Sequence, residues 1–244
     1  PWPFSAMESY VLRRADAAIF GSASAHAVWR AKGYRGRKDI IPQFGIDPDL
    51  FPMREEDTRR QGRFSVGFVG RLVREKGVDI LLRALADLPE EVHLTVIGAG
   101  PERAALAQLA GRLGISERVV FEPWLPSTEI PERLRSLDAL VLPSRTTSHW
   151  KEQFGRVLLE AMASGAPVVG ADCGEIASVI GTAGLLFPEG DYAGLAAALR
   201  RLLEDSTLRQ RVVQNGRERV ISKFTQAQVA AETVSVYRQL ASGS

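Results

Sequence analysis

The stretch WKEQFGRVLLEAMASG, residues 150 to 165, carries two glutamates, Glu152 and Glu160, with seven residues between them. Glu152 comes just before Phe154 and Gly155, and Glu160 sits within an otherwise apolar run. The pattern predicts a helix over residues 154–164. Residues eight apart on a helix are separated by about 12 Å along its axis. That span suits two polyols flanking a diphosphate. Gly155 near the helix start lets backbone N–H groups face a ligand, and the helix dipole there favours an anion. Glu160 would then accept hydrogen bonds from one polyol and Glu152 from the other. A buried ionised glutamate is costly without such partners. The alternative pairs Glu160 with a neighbouring arginine and leaves Glu152 in solvent, and spacing alone does not separate the two.

Two further stretches offer groups for the same anion. In FSVGFVGRLVREKG, Gly70 ends an apolar run and Arg71 and Lys76 follow it. Ligands of open α/β sheets bind at the carboxyl ends of the strands. A forked guanidinium and a compact ammonium together suit a diphosphate, although a solvated basic loop fits these residues equally well. LTVIGAGPERAAL holds Gly98 and Gly100 of a dinucleotide fingerprint, but Arg103 stands where the third glycine belongs. A tight turn into a helix with Pro101 in its first turn, lining a nucleotide pocket, is the better reading.

Other reactive residues lack context. His26 falls in a helical pattern, His93 in a strand and His149 in a loop, with no triad-like company. No His, Cys and carboxylate cluster has metal-ligand spacing, so no metal is expected. Asp47-Pro48-Asp49 imitates a metal-binding DxD but follows QFGI at what reads as a domain crossing, and is taken as a decoy.

The elements that must position these groups alternate along the chain. Apolar β-rich runs fall at 17–20, 39–42, 64–69, 92–97, 118–121, 139–142, 168–170 and 184–187. Helical patterns fall at 24–32, 77–88, 101–113, 128–136, 154–164 and 192–203, and two more follow at 206–223 and 226–240. Short continuous apolar runs alternating with amphipathic helices predict an α/β fold with a doubly wound parallel sheet. The polar stretch 51–63 interrupts the rhythm and reads as a linker. Residues 1–50 hold too little to form a domain of their own and read as the tail of a larger one. With a first residue that is not Met, the chain is expected to be a fragment.

Composition sets the outer limits. The chain has 244 residues, 45% hydrophobic and 25% charged, as expected of a soluble globular protein. A net charge of +2 gives no nucleic-acid footprint. The single cysteine, Cys173, excludes an internal disulfide framework and suits a reducing compartment. No apolar run approaches the roughly 18 residues that span a bilayer.

Taken together, the motifs resemble the retaining family 4 glycosyltransferases of the GT-B fold. Glu152 and Glu160, with FG after the first and EAMASGAPVV including the second, match the signature of that family. GRLVREKGVDILLRAL, LTVIGAGPERAAL, LDALVLPS and GLLFPEGD occur in the family's order. RRADAAIFGSASAHAVWRAKGY and IIPQFGIDPDLF resemble the end of its N-terminal domain and the interdomain crossing.

The resemblance implies a Rossmann-like GT-B C-terminal domain. Residues 64–223 would be the nucleotide-sugar donor-binding domain, 51–63 the linker, and 1–50 the remnant of the N-terminal domain with the crossing. Residues 224–244 would form a C-terminal helix returning toward the missing N-terminal domain. The implied reaction is transfer of a sugar from a UDP-, GDP- or ADP-sugar to a carbohydrate or glycolipid acceptor, with retention at the anomeric carbon and no cofactor. By the same resemblance, Arg71 and Lys76 grip the diphosphate and Glu152 binds donor-sugar hydroxyls. Backbone N–H groups at Phe154 and Gly155 touch sugar or phosphate, and Glu160 holds the ribose. Gly98 and the loop after Phe121 frame the base. Pro123 replaces a glycine common there, and Trp124 next to it packs on a base or plugs the core.

The resemblance further implies a cytoplasmic enzyme working at the inner membrane surface on polysaccharide or glycolipid assembly. Self-association of the fragment through Val229, Val236, Tyr237 and Leu240 is a further expectation. A non-catalytic nucleotide-sugar-binding module and a nucleotide-sugar epimerase of GT-B-like fold are the alternatives.

Overall fold

The computed structural model describes residues 2–53 and 62–242. Residues 54–61 of the expected 51–63 linker lie outside the described residues. The described chain divides into two compact units, one formed by residues 1–47 with 224–244 and the other by residues 48–223.

The first unit begins with α1 (Trp2–Arg14), β1 (Ala17–Phe20), α2 (Ala23–Ala31) and β2 (Arg37–Ile40). The two strands pair in parallel, with Ala17 opposite Arg37. Ser22 caps α2 by accepting from the Ala25 N–H at 3.1 Å, which satisfies one of the helix's free donors. Phe20 gathers the rings of His26, Trp29 and Tyr34 at centroid distances of 5.1, 6.4 and 5.6 Å.

The second unit holds β3 (Phe64–Val69), α3 (Val78–Ala86), β4 (Val92–Ile97), α4 (Arg103–Arg112), β5 (Val119–Glu122) and α5 (Ile130–Arg135). It continues with β6 (Ala139–Leu142), α6 (Arg156–Ala163), β7 (Val168–Ala171), α7 (Ile176–Ile180), β8 (Leu185–Phe187), α8 (Tyr192–Glu204) and α9 (Ser206–Lys223). The six strands form one parallel sheet in the order β5-β4-β3-β6-β7-β8. This is a Rossmann-like, doubly wound α/β sheet. The chain steps outward from β3 to β5, then returns beside β3 and steps outward the other way. The strand order therefore reverses between β3 and β6, and the crevice at that reversal is where such sheets bind ligands.

The residues account for this arrangement. β6 and β7 are buried at every position, which needs apolar residues on both faces, and ALVL and VVGA supply them. α3 turns Val78, Leu81, Leu82 and Leu85 inward at helical spacing, with Asp79 in its first turn and Arg83 in its last to suit the dipole. Asp138, 5% exposed, locks β6 to β3. Its N–H donates to the Ser65 carbonyl at 2.7 Å, and its carboxylate accepts from the Ser65 N–H at 2.8 Å.

The chain closes with α10 (Gln226–Ser242), part of the first unit. The Ile46 N–H donates to the Phe224 carbonyl, and the Gln226 N–H to the Ile46 carbonyl, both at 2.9 Å. Val236, expected on an exposed or swapped face, is buried at 5% exposure.

Three local expectations need correction. β2 covers Arg37–Ile40 and not 39–42, because backbone pairing with β1 admits the charged Arg37 and Lys38 that an apolar criterion leaves out. α6 starts at Arg156 and not at 154, because Gly155 is left-handed, with φ 79° and ψ 54°. The short α7 was not expected, its five residues being too few for a visible period.

The central strands carry the stability of the second unit. Leu140, with no solvent exposure, is expected to cost about 2–5 kcal/mol on Leu140→Ala. Val120→Thr on the edge strand, at a residue 55% exposed, should stay within about 0.5 kcal/mol of the parent. Urea midpoints of the two variants check this, and equal midpoints would contradict a sheet buried on both faces.

Candidate functional site

A cavity of about 390 Å³ opens at the strand-order reversal. Val69, Gly70 and Arg71 line it from the end of β3, and Leu142 from the end of β6. Lys76 enters from the loop before α3. Trp150, Glu152 and Gln153 enter from the loop before α6, and Gly155, Arg156 and Val157 from the start of that helix.

Behind Gly70 of the lining, two stretches of backbone meet. Gly98 runs against Gly70 so closely that a Cβ on Gly98 would lie 1.9 Å from the Gly70 carbonyl oxygen, and its φ of +150° also disfavours a side chain. Gly98 thus supports the cleft from behind without lining it.

Lys76 Nζ lies 2.6 Å from Glu152 Oε2. The Ser144 hydroxyl donates to the same oxygen at 2.9 Å. Glu152 is 7% exposed and Ser144 fully buried, so the carboxylate is deeply held. Charges this far from water persist only when paired, and breaking such a pair leaves an uncompensated ion. The Trp150 ring lies against the same ammonium, 5.2 Å from Nζ to the centroid. Arg71 is exposed at the rim, and among the described residues no carboxylate forms an ion pair with it.

Glu160 lies one turn into α6, and its carboxylate meets Arg156 Nε at 2.9 Å. Burial pushes its pKa above the ordinary carboxylate range, against the opposing charge and hydrogen bond of Arg156. Arg156 is about half exposed and lines the cavity, whereas Glu160 does not.

The structure brings Gly70, Arg71, Lys76, Glu152 and Gly155 to one cavity. It leaves Gly98, Trp124, Phe154 and Glu160 off the cavity lining. Trp124 is 70% exposed, and Phe154 is buried at 5%. The helical rise expected between the two glutamates does not apply, because Glu152 precedes α6. Of the structural alternative, the Glu160–Arg156 pairing is present, but Glu152 is buried in an ion pair and not solvated. Arg103, in the place of a third fingerprint glycine, donates to the Phe121 carbonyl at 3.1 Å and fastens the loop after β5.

Ser144, Gln153 and Arg156 were missed. Ser144 had a signal in its place just after a buried strand, and Arg156 in its spacing of four from Glu160. Among the described residues, no group of three or more His, Cys, Asp and Glu side chains could hold a metal. No helix of the described residues is long and apolar enough to cross a membrane. Burial lowers the pKa of His93, a member of β4 remote from the cavity lining.

Comparison with known proteins gives the lineage. The family model for glycosyl transferases group 1 matches residues 52–219. The chain belongs to that family. This group 1 glycosyl transferase chain is 29% identical to the 2-deoxystreptamine glucosyltransferase of Streptomyces kanamyceticus, over 97% of the chain and 64% of that enzyme. It spans about half the length of several other curated relatives. Its fold is similar to sucrose-phosphate synthase from Thermosynechococcus elongatus, with a TM-score of 0.82 and 29% identity over 98% of the chain and 62% of that structure. It is equally similar to Anabaena HepE in complex with UDP-glucose, with a TM-score of 0.80 and 27% identity over 98% of the chain and 67% of that structure. The group 1 chain thus has a GT-B glycosyltransferase fold.

The raised pKa of Glu160 has a signed consequence. In the folded state the carboxyl binds its proton more tightly than in the unfolded chain, so stability falls as pH rises from the ordinary carboxylate range through the raised value. Glu160→Gln removes that fall. Thermal unfolding from roughly pH 4 to 8 should show the variant gaining on the parent as pH rises. A constant difference across the range would contradict the shift.

Proposed function

We propose that residues 64–223 form the nucleotide-sugar donor site of a retaining family 4 glycosyltransferase. The observation that carries this reading is the meeting of Arg71, Lys76, Glu152 and the first turn of α6 in one cavity, at the strand-order reversal of a group 1 glycosyl transferase. The complex of Anabaena HepE with UDP-glucose supports a nucleotide sugar as the ligand class.

The chemistry follows from the groups present. Arg71, exposed at the rim, takes the diphosphate with forked donors, and Lys76 adds a compact charge. The start of α6 presents backbone N–H groups and the positive end of its dipole. These fixed charges stabilise the negative charge that develops on the departing nucleoside diphosphate, which is where catalysis gains most. Glu152, held by Ser144, accepts from hydroxyls of the transferred sugar. Glu160 accepts from the ribose, with Arg156 turning from it to the phosphate side. The reaction retains the anomeric configuration. Residues 1–50 are the remnant of the N-terminal GT-B domain with the crossing, residues 224–244 form a helix returning toward that domain, and a carbohydrate or glycolipid is the acceptor. The chain by itself binds donor and transfers nothing.

Titration calorimetry with UDP, GDP and ADP tests the site. At least one should bind, and Arg71→Ala and Glu160→Ala should each weaken it about ten-fold or more, the value of a lost charge-assisted hydrogen bond. A folded chain that gives no heat with any of the three would sink the donor-site reading. Unchanged affinity in Glu160→Ala would assign that residue to structure alone. Product stereochemistry, read by NMR on the full-length gene product, checks retention, and an inverted product would refute it.

A further inference from the structure

Beside the Lys76–Glu152 pair, this chain places an aromatic ring against the Lys76 ammonium, that of Trp150. We propose that Trp150 is a positioning residue for Lys76, its indole face keeping the ammonium turned into the cavity while a donor is bound. The inference rests on the donor-site reading given above.

Lys76 has a flexible stem and a charge that moves to whichever partner is nearest. In the free protein that partner is Glu152, at 2.6 Å. A bound donor breaks up this arrangement from both sides. Its diphosphate draws the ammonium, and its sugar hydroxyls draw the carboxylate. Once Glu152 is shared with the sugar, the pair no longer fixes where the lysine points. The ring of Trp150 does not take part in that competition. It has no charge to lose to the ligand, and its face attracts the cation at 5.2 Å whatever Glu152 is doing.

The indole is itself well placed for this role. Its backbone N–H donates to Thr147 Oγ1 at 3.0 Å, and its carbonyl accepts from the Thr147 N–H at 2.7 Å, so a closed turn carries the ring. The turn is anchored on both sides of the cleft. Glu189, just after β8, accepts from the Thr146 N–H at 2.6 Å and the Thr146 hydroxyl at 2.8 Å. Arg145 pairs with Asp79 at 2.5 Å, and its N–H donates to the Glu75 carbonyl at 2.8 Å. Glu75 is the neighbour of Lys76 in sequence. The loop that carries the ring is therefore fastened to the loop that carries the ammonium.

A double-mutant cycle, read by calorimetry on the whole chain with UDP, GDP and ADP titrated to millimolar concentration, tests the assignment. Trp150→Leu should weaken the tightest-binding diphosphate roughly two- to thirty-fold, the range from an exposed to a desolvated cation–aromatic contact, and Trp150→Phe should recover it to within about three-fold. In a Lys76→Met background, Trp150→Leu should change nothing further. A loss of equal size in both backgrounds would show that the ring shapes the cavity without acting through Lys76, and would overturn the proposal. Wild-type affinity in Trp150→Leu would overturn it too. If thermal melts show Trp150→Leu unfolded, Trp150→Met replaces it, with the same outcomes. Absence of binding by the parent chain would remove the donor-site reading itself, and this inference with it.

Discussion

The ion pair between Lys76 and Glu152 is the constraint on which the cleft depends. The two residues come from different loops, one following β3 and the other following β6. Those strands are neighbours in the sheet at the point where its order reverses. Two loops leaving such a point diverge unless something ties them. Here a carboxylate that is 7% exposed is bonded to an ammonium and a fully buried hydroxyl. Neither charge can leave its partner for water without stranding the other. In the free protein the pair therefore ties the two loops across the cleft, beside the Arg145 contacts to Asp79 and Glu75.

Much of the sheet was legible in the sequence, because its strands are buried on both faces and read as plain apolar runs. ALVL in β6 and VVGA in β7 are the clearest cases. The same rule failed at β2, where Arg37 and Lys38 enter a strand through backbone pairing alone. The site was legible in its parts and not in its contacts. Arg71 and Lys76 stood out as cations after a strand, and Glu152 as a carboxylate before a helix start, and the fold brings all three to one cavity. Nothing in the chain announced that Lys76 would pair with a residue 76 positions away. Ion pairs between loops are decided by the fold, and no periodicity records them. The helix boundary was misplaced for a local reason, a glycine in a left-handed conformation that ends the loop two residues later than the apolar pattern suggests.

Glu160 shows a second kind of legibility. A carboxylate in an apolar run violates the pattern of a core-facing helix, and such violations gather at functional sites. Burial raises the pKa of Glu160, and Arg156 offsets that only in part. A residue that is kept against the stability of its own helix needs a reason outside that helix. The Arg156 side chain supplies the link, since it touches Glu160 and lines the cavity as well.

The contact between Gly98 and Gly70 has an evolutionary consequence. Two main-chain segments meet there with no room for a Cβ between them. At that point Gly98 cannot take on a side chain unless the Gly70 segment moves. Descendants of this chain that come to favour a different molecule have other positions to alter, such as Val69, Leu142, Gln153 and Val157 in the cavity lining. Divergence in such a lineage is channelled to the side chains that line the cavity, while this backbone contact is inherited unchanged.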